Sequence, residues 1–301
     1  MFEGFSLVTL TVVALGAAAP LLLAALGGMF SERSGIINIG LEGMMLSGAF
    51  AAGLWGYFFQ SGGWVPWVGF LWAGLAGALL AWLHAWICIR MKADQIISGV
   101  ALNILASQST IFLSLLIFGG KGGSGLLKQT AGKLSVGTFQ ISPFFLVSIA
   151  ILVASSWAMF RTPFGLRLRA CGEHPQAAAS AGISVSKMRT IGVLLSGLLA
   201  GFAGAILVNE AGNFSKDMTA GRGYIALAAL IFGGWKPWPV LFACLLFGFA
   251  YALNFQVQSL PQIHIPSEFL DMLPYLLTIL ALAGVVGRSQ APAALGQVED
   301  H

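Results

Sequence analysis

Charged residues are scarce in this sequence. Asp, Glu, Lys and Arg make up 9% of the 301 residues, whereas hydrophobic residues make up 57% and the mean hydropathy is +0.87. A soluble domain carries about 25% charged residues, so this chain has too few to cover a water-facing surface. Disorder is excluded as well, because disordered chains combine low hydrophobicity with high charge. The composition therefore predicts a chain that crosses a membrane several times.

Cysteine and histidine are also few. The three cysteines form no CxxC pair, and the four histidines stand far apart, so we expect neither a disulfide framework nor a metal site. No GxxxxGK[ST], HExxH or GxSxG occurs, so we expect no catalytic residue, no cofactor and no ATPase site in this chain. The net charge of +4 is spread over short loops, which favours control of membrane orientation over nucleic-acid binding.

Apolar stretches near the length of a membrane span, about 20 residues, recur along the chain. Glu3 stands where a signal peptide has Lys or Arg, so the first stretch is expected to be a retained span. The stretch at 218–235 has a short apolar part and predicts a broken or re-entrant helix. We expect an all-α transmembrane helical bundle of about eight to ten spans, forming one domain over 1–301. The stretches are 5–29, 36–59, 64–88, 96–118, 143–160, 190–210, 218–235, 237–256 and 269–287.

The basic residues predict the orientation. If the loop 161–189 is cytoplasmic, alternation of the spans places ten of the 15 Lys and Arg residues inside and five outside. This bias agrees with the positive-inside rule and predicts an external N-terminus and an internal C-terminus, with a flexible tail over about 288–301. The external five are Lys121, Lys128, Lys133, Lys216 and Arg222.

Polar residues inside the predicted spans are candidates for a substrate pathway, because such residues are costly in a membrane. The candidates are Asn38, Glu42, Asn103, Asn209 and Glu210. Asn38 and Glu42 are predicted to share one face of the second span. Each of the five side chains suits bonding between helices at least as well as contact with a neutral polar solute. A proton relay would pair Glu42 with His84, the one histidine available for it.

Two further patterns concern packing and docking. Small residues recur one turn apart in the sixth span at Ser196-Gly197, Ala200-Gly201 and Gly204, which predicts close helix packing. In the loop 161–189, Pro175 followed by alanines predicts a short helix that ends at Gly182. On physical grounds this helix suits a docking element and an ordinary connection equally well.

Three segments resemble the permease subunits of ATP-binding-cassette (ABC) importers, in the family that handles simple sugars, nucleosides and branched-chain amino acids. The first and third are similar to the smaller permease subunit of bacterial nucleoside importers. We refer to them as motif segments one, two and three. They are Glu32–Met45 (ERSGIINIGLEGMM), Gly172–Ile183 (GEHPQAAASAGI) and Gly221–Gly233 (GRGYIALAALIFG).

The resemblance implies a type II-like permease in the bacterial inner membrane, importing nucleosides. It implies a cytoplasmic ABC ATPase that binds ATP and Mg, a second and longer permease subunit, and an extracytoplasmic substrate-binding lipoprotein. Importers of simple sugars or riboflavin are the near alternative, and an ion-coupled carrier is a more distant one. The implied coupling helix, which docks on the ATPase, contains Glu173, His174, Pro175, Ala178, Gly182 and Ile183.

Overall fold

The computed structural model describes residues 6–120, 122–137, 139–258, 272, 276 and 290–297. This part of the chain is mostly helical, as predicted. The third helix continues into a π-helical turn, Trp86–Arg90. The helices are α1 Leu7–Arg33, α2 Leu41–Phe58, α3 Val65–Ala85, α4 Gln95–Ile117, α5 Pro143–Arg161, α6 Pro163–Glu173, α7 Pro175–Ser180, α8 Val185–Ala211, α9 Arg222–Phe232 and α10 Pro237–Gln258.

Within the described residues, six helices are long and apolar enough to cross a membrane, namely α1, α3 with its π-helical turn, α4, α5, α8 and α10. The 18-residue α2 is about 27 Å long, close to the hydrocarbon thickness of about 30 Å. The chain is therefore a multi-pass helical membrane protein. The predicted span 269–287 lies outside the described residues.

A small β-hairpin departs from the all-α pattern. Strands β1 (Leu134–Val136) and β2 (Phe139–Ile141) pair antiparallel in the connection between α4 and α5. The chain reverses at Gly137, whose φ of +61° is readily adopted by glycine. This connection lies at the end of the bundle that was predicted to be external.

The buried helix α8 packs closely against α2 and α3 through its small residues. A Cβ added to Gly201 would lie 2.1 Å from the carbonyl oxygen of Ala73, and one added to Gly204 would lie 2.0 Å from that of Met45. No side chain larger than hydrogen fits at these positions. The close packing predicted from the small residues of the sixth span is confirmed.

The predicted seventh span is broken. Its helical part, α9, has 11 residues and a length of about 16 Å, roughly half a membrane thickness. The preceding chain begins at the predicted external end, where the backbone N–H of Phe214 donates to the Ser124 hydroxyl over 2.9 Å. After α9, Trp235 contacts Arg33 at the opposite end of the bundle. An irregular outer half and a helical inner half thus join the two ends.

The C-terminal segment 290–297, which lies within the flexible tail predicted over about 288–301, packs against the rest of the chain. Ala294 is 2% exposed, and its backbone N–H donates to the carbonyl oxygen of Gly172 over 2.9 Å. A small residue and paired backbone groups let this turn pack at the end of α6. The segment therefore covers part of the face that was predicted to be cytoplasmic.

Candidate substrate cavity and docking segment

A cavity of about 350 Å³ opens between α2, α4 and α9. Two of the five predicted pathway residues, Glu42 and Asn103, line it. The polar and aromatic lining residues that the sequence analysis did not select are Ser107, Gln108, Asp217, Thr219 and Tyr224.

Glu42 fixes the beginning of α9. Its two carboxylate oxygens accept the backbone N–H groups of Gly221 and Gly223, at 2.8 and 2.6 Å. A negative charge is favourable there, because the first N–H groups of a helix are unpaired and carry a partial positive charge. Gly221 has a φ of +80°, and a Cβ on Gly223 would lie 2.6 Å from the Glu42 Cα. Both glycines are therefore needed for this contact.

Asn103 joins the same elements from the side of α4. Its Oδ1 accepts the N–H of Gly43 over 2.8 Å, and its Nδ2 donates to the Ile39 carbonyl and the Tyr224 hydroxyl at 3.0 and 2.9 Å. The amide thus ties the start of α2 to α9 while it forms part of the cavity wall.

The remaining lining groups suit a neutral polar solute with an aromatic part. Gln108 is exposed and Tyr224 is 46% exposed, so an amide and an aromatic ring face the open space. Ser107 donates to Asp217 over 2.9 Å at the rim. Amides and hydroxyls bind polar groups of a solute, and a tyrosine ring offers a flat apolar face. A few placed polar groups on a partly apolar wall are typical of ligand sites.

A pattern in α4 points to this wall. Polar residues at Asn103, Ser107, Thr110 and Ser114 are spaced by three or four positions and so lie on one face of the helix. This spacing is visible in the sequence, and it identifies Ser107 as a further candidate for the lining of the cavity. No such pattern identifies Asp217 and Thr219 as lining residues, because they lie in the irregular half of the broken span, where helical spacing does not apply.

The structure places Asn38 elsewhere. The second helix begins at Leu41 instead of residue 36, so Asn38 lies in the non-helical stretch before it and does not share a helix face with Glu42. Gly40 precedes the first residue of the helix, and hydrogen bonds of Asn38 and Ile39 to other helices hold the stretch before it in a non-helical conformation. Asn38 is fully buried and its amide donates to the Ser196 hydroxyl over 2.8 Å, which fastens this stretch to α8.

The other two predicted pathway residues lie at the predicted external end. Asn209 accepts from the N–H of Ala131 and donates to the Ala205 carbonyl, and it does not line either cavity described here. Glu210 lines a second cavity of about 480 Å³, between α1, α8 and α10. That cavity also holds Lys133, Arg222 and Tyr251.

The short helix predicted in the 161–189 loop is present as α7. Its end has a Schellman motif, in which the N–H of Ile183 bonds to the Ala178 carbonyl and the N–H of Gly182 bonds to the Ala179 carbonyl, at 3.0 and 2.9 Å. Gly182 has the positive φ, +78°, that this motif requires. The helix therefore has a defined shape despite its six residues.

The six predicted docking residues divide into an inner and an outer set. Ala178 is 4% exposed and packs with Ile183 in a small apolar cluster inside the chain. Glu173 forms an ion pair with Arg33, and Pro175, the first residue of the helix, is half-buried. Exposed positions of this segment are His174, Gln176, Ala177, Ala179, Ser180, Ala181 and Gly182.

His84 belongs to a different contact from Glu42. Its Nδ1 lies 2.9 Å from the Ser98 hydroxyl and its Nε2 lies 3.1 Å from the Ile37 carbonyl oxygen. The carbonyl can only accept, so Nε2 carries a proton, and in the neutral ring Nδ1 accepts from Ser98. The ring thereby fastens the stretch before α2 to α3 and α4. The pairing of His84 with Glu42 that a proton relay requires does not occur.

The three motif segments meet in space. Segments one and three are joined by Glu42 at Gly221 and Gly223. Segments one and two are joined by an ion pair between Arg33 and Glu173, 3.5 Å apart. Residues that carry the resemblance therefore form one connected unit between the cavity and α7.

Comparisons with known proteins place the chain in a family. The profile described as branched-chain amino acid transport system, permease component, matches residues 10–282. The guanosine ABC transporter permease protein NupQ of Bacillus subtilis is 45% identical over 93% of this chain and 92% of its own length. The nucleoside ABC transporter permease protein NupC of Lactococcus lactis is 41% identical over 92% of both chains.

A second guanosine ABC transporter permease protein of Bacillus subtilis, NupP, is 30% identical over 84% of this chain and 75% of its own length. The resemblance inferred from the three motif segments is confirmed by these matches. The chain belongs to the family of permease components of branched-chain amino acid transport systems.

Proposed function

We propose that this chain is the membrane-spanning permease subunit of an ABC importer that carries nucleosides into the bacterial cytoplasm. The observation that carries the substrate proposal is the cavity between α2, α4 and α9, where Gln108 and Tyr224 face the open space. An amide can pair with the polar edge of a base, and an aromatic ring can stack on its face. The names of NupQ and NupC, which refer to guanosine and to nucleosides, support nucleosides as the substrate class. The family description alone refers to branched-chain amino acids.

The energy for transport comes from a separate ATPase in this proposal. That subunit binds ATP and Mg and docks on the exposed face of α7. The chain itself has no catalytic residue and acts by changing conformation. ATP and the loaded receptor lipoprotein must each bind one conformation better than the other, since otherwise neither shifts the equilibrium.

A second permease subunit completes the pathway. Gln108 and Ile104 are exposed on α4, in the middle of a membrane span. An amide facing lipid is unfavourable, so this side of the cavity requires a protein partner or a water-filled pathway. The two permeases NupQ and NupP, both named for guanosine, support a partner that is a longer relative over a second copy of this chain.

Two alternatives remain for the test. Simple sugars and riboflavin also bind through hydroxyl and amide groups, so this cavity does not by its chemistry exclude them. An ion-coupled carrier needs a titrating group in the pathway that is free to exchange its proton. The contacts of Glu42 with α9 and of His84 with the stretch before α2 favour fixed structural roles instead.

The test is uptake of labelled guanosine and uridine in cells with and without this chain. Unlabelled ribose and riboflavin serve as competitors, and ATP depletion and collapse of the proton gradient are applied separately. We expect uptake that requires ATP and is blocked by unlabelled nucleosides alone. Inhibition by ribose or riboflavin would change the assigned substrate to a sugar or riboflavin. Uptake that follows only the proton gradient would contradict the assignment as an ABC importer.

A further inference from the structure

Motif segment one holds the short helix α9 at both ends. At the beginning of α9, Glu42 accepts the N–H groups of Gly221 and Gly223. Beyond its end, the buried Trp235 donates its indole N–H to the carboxylate of Glu32 over 2.6 Å. One rigid helix, about 16 Å long, therefore separates a contact at the cavity from a contact at the end of α1.

Arg33 connects this end of α9 to the docking segment. Its Nε donates to the Trp235 carbonyl over 3.2 Å, and its Nη1 lies 3.5 Å from Oε1 of Glu173. Glu173 is the last residue of α6, and a single residue, His174, separates it from the start of α7. A Cβ on Gly172 would lie 2.3 Å from the Arg33 carbonyl oxygen, so the two backbones are in direct contact. Contacts thus run without a gap from α7 to Trp235.

The character of these contacts suits transmission of movement. In the Arg33–Glu173 pair the Arg33 side chain is 14% exposed and the Glu173 side chain is 43% exposed, so water reaches one partner and the pair can shift without leaving a fully buried charge. Trp235 is 5% exposed and has a φ of +54°, which few residues other than glycine adopt. Trp235 does not need this backbone conformation to pack in the core. Residues with such strained backbone conformations are concentrated at functional sites.

We propose that Glu32, Arg33 and Trp235 are positioning residues that transmit movement of α7 to the cavity through α9. When the ATPase displaces α7, Glu173 shifts Arg33 and Trp235, and α9 carries Tyr224 with it. This inference rests on the proposed function, from which it takes the ATPase at α7 and the solute in the cavity. Because coupling between sites is reciprocal, the solute in the cavity also alters ATP binding through the same residues.

The test uses the importer purified with its partner subunits in proteoliposomes that are given labelled guanosine. Arg33→Gln removes the contacts with Glu173, and Trp235→Phe removes the indole N–H while it keeps an aromatic ring. We expect both variants to retain ATP hydrolysis within about twofold, while the guanosine moved per ATP falls by about fivefold or more. Lys187→Gln, which changes an exposed cation on α8, is the matched control and should leave both rates unchanged.

A second readout does not depend on which solute is carried. The three native cysteines are buried, so Ile104→Cys places a single accessible thiol in the cavity wall. Its rate of labelling by maleimide should change on addition of ATP and vanadate, and Arg33→Gln or Trp235→Phe should abolish that change. Glu173→Gln, at a partly exposed ion pair, replaces either variant if it does not assemble.

The outcomes separate this inference from the proposed function. If the parent chain responds to nucleotide but carries no guanosine, the substrate proposal fails and the linkage is judged by labelling alone. The linkage is wrong if the variants transport and respond like the parent, or if they lose ATP hydrolysis together with transport. A parent chain whose labelling ignores nucleotide also contradicts it.

Discussion

Glu42 is a carboxylate in a membrane span whose oxygens are both occupied by backbone N–H groups of another helix. Hydrogen bonds to a charged group contribute about 1.5–3 kcal/mol each, more than a bond between neutral groups. The side chain is half-buried at the cavity, so it combines a structural contact with a place in the lining. This arrangement explains why a costly residue is kept within the membrane.

Substitution of Glu42 should reveal the two contacts separately. Glutamine has one oxygen, so Glu42→Gln keeps one acceptor and should lower the free energy of unfolding by about 1–2 kcal/mol. Glu42→Leu leaves both N–H groups unpaired and should cost about twice as much. Thermal unfolding in detergent measures the difference. Asp217→Asn, which keeps an acceptor for Ser107, is the control, and equal stability of all three variants would contradict the contact.

Gly223 offers a test of the same contact from the side of α9. The Cβ of Gly223→Ala would overlap the backbone of Glu42, so α2 and α9 must separate. We expect a loss of about 3 kcal/mol or more, or failure to assemble. A Cβ on Gly132 would meet nothing within 4 Å, so Gly132→Ala is the matched control and should be neutral. Comparable expression and unfolding temperature of both variants would show that the packing is wrong.

Chemistry made single residues predictable only in part. A carboxylate and an amide in apolar helices were selected correctly as unusual, and Glu42 and Asn103 do line the cavity. The same reasoning selected Asn38 and Asn209, which bond within the protein away from it. The free-energy cost of placing an amide in a membrane marks it as unusual in the sequence, whether its hydrogen-bond partner is protein or solute. Sequence therefore identifies the unusual residue but not its partner.

At the scale of elements, the proposed docking of an ATPase on α7 depends on which residues of this helix are exposed. Ala178 is buried, so Ala178→Glu would place a charge in an apolar cluster and should disrupt the segment itself. Ala177 is exposed, and Ala177→Glu should change stability by less than about 0.5 kcal/mol. We expect Ala177→Glu to assemble normally and to lose ATP-dependent uptake.

The control for this prediction is Lys128→Glu, a charge change at the opposite end of the bundle. Copurification of the ATPase with each variant measures docking directly, and uptake measures coupling. If Ala177→Glu retained both the ATPase and the uptake, the exposed face of α7 would not be the docking surface.

Periodicity and turn residues made most elements predictable. The long apolar helices, and α7 with its proline start and glycine end, follow from local sequence. The late start of α2 and the packed segment 290–297 do not, because tertiary contacts decide them. Residue 294 lies far along the chain from its partner at position 172, and no local pattern announces such a contact.

Across the whole molecule, segments far apart in sequence form one unit between the cavity and α7. Glu42 and Gly221 are 179 positions apart, and Glu32 and Trp235 are 203 apart. The resemblance identified all three motif segments, but their mutual contacts could be seen only after folding. Such a unit would serve the proposed function, in which the solute binds in the cavity and the ATPase docks on α7.

The most direct test of the account is the KM of ATP-dependent guanosine uptake in a Gln108→Leu variant. Gln108 faces the cavity, whereas Leu105 is exposed on the same helix outside the lining, so Leu105→Ala is the matched control. Loss of one hydrogen bond to the solute, about 1 kcal/mol, predicts a KM raised about fivefold with the control unchanged. An unchanged KM in a normally assembled Gln108→Leu importer would contradict the assignment of this cavity to the substrate.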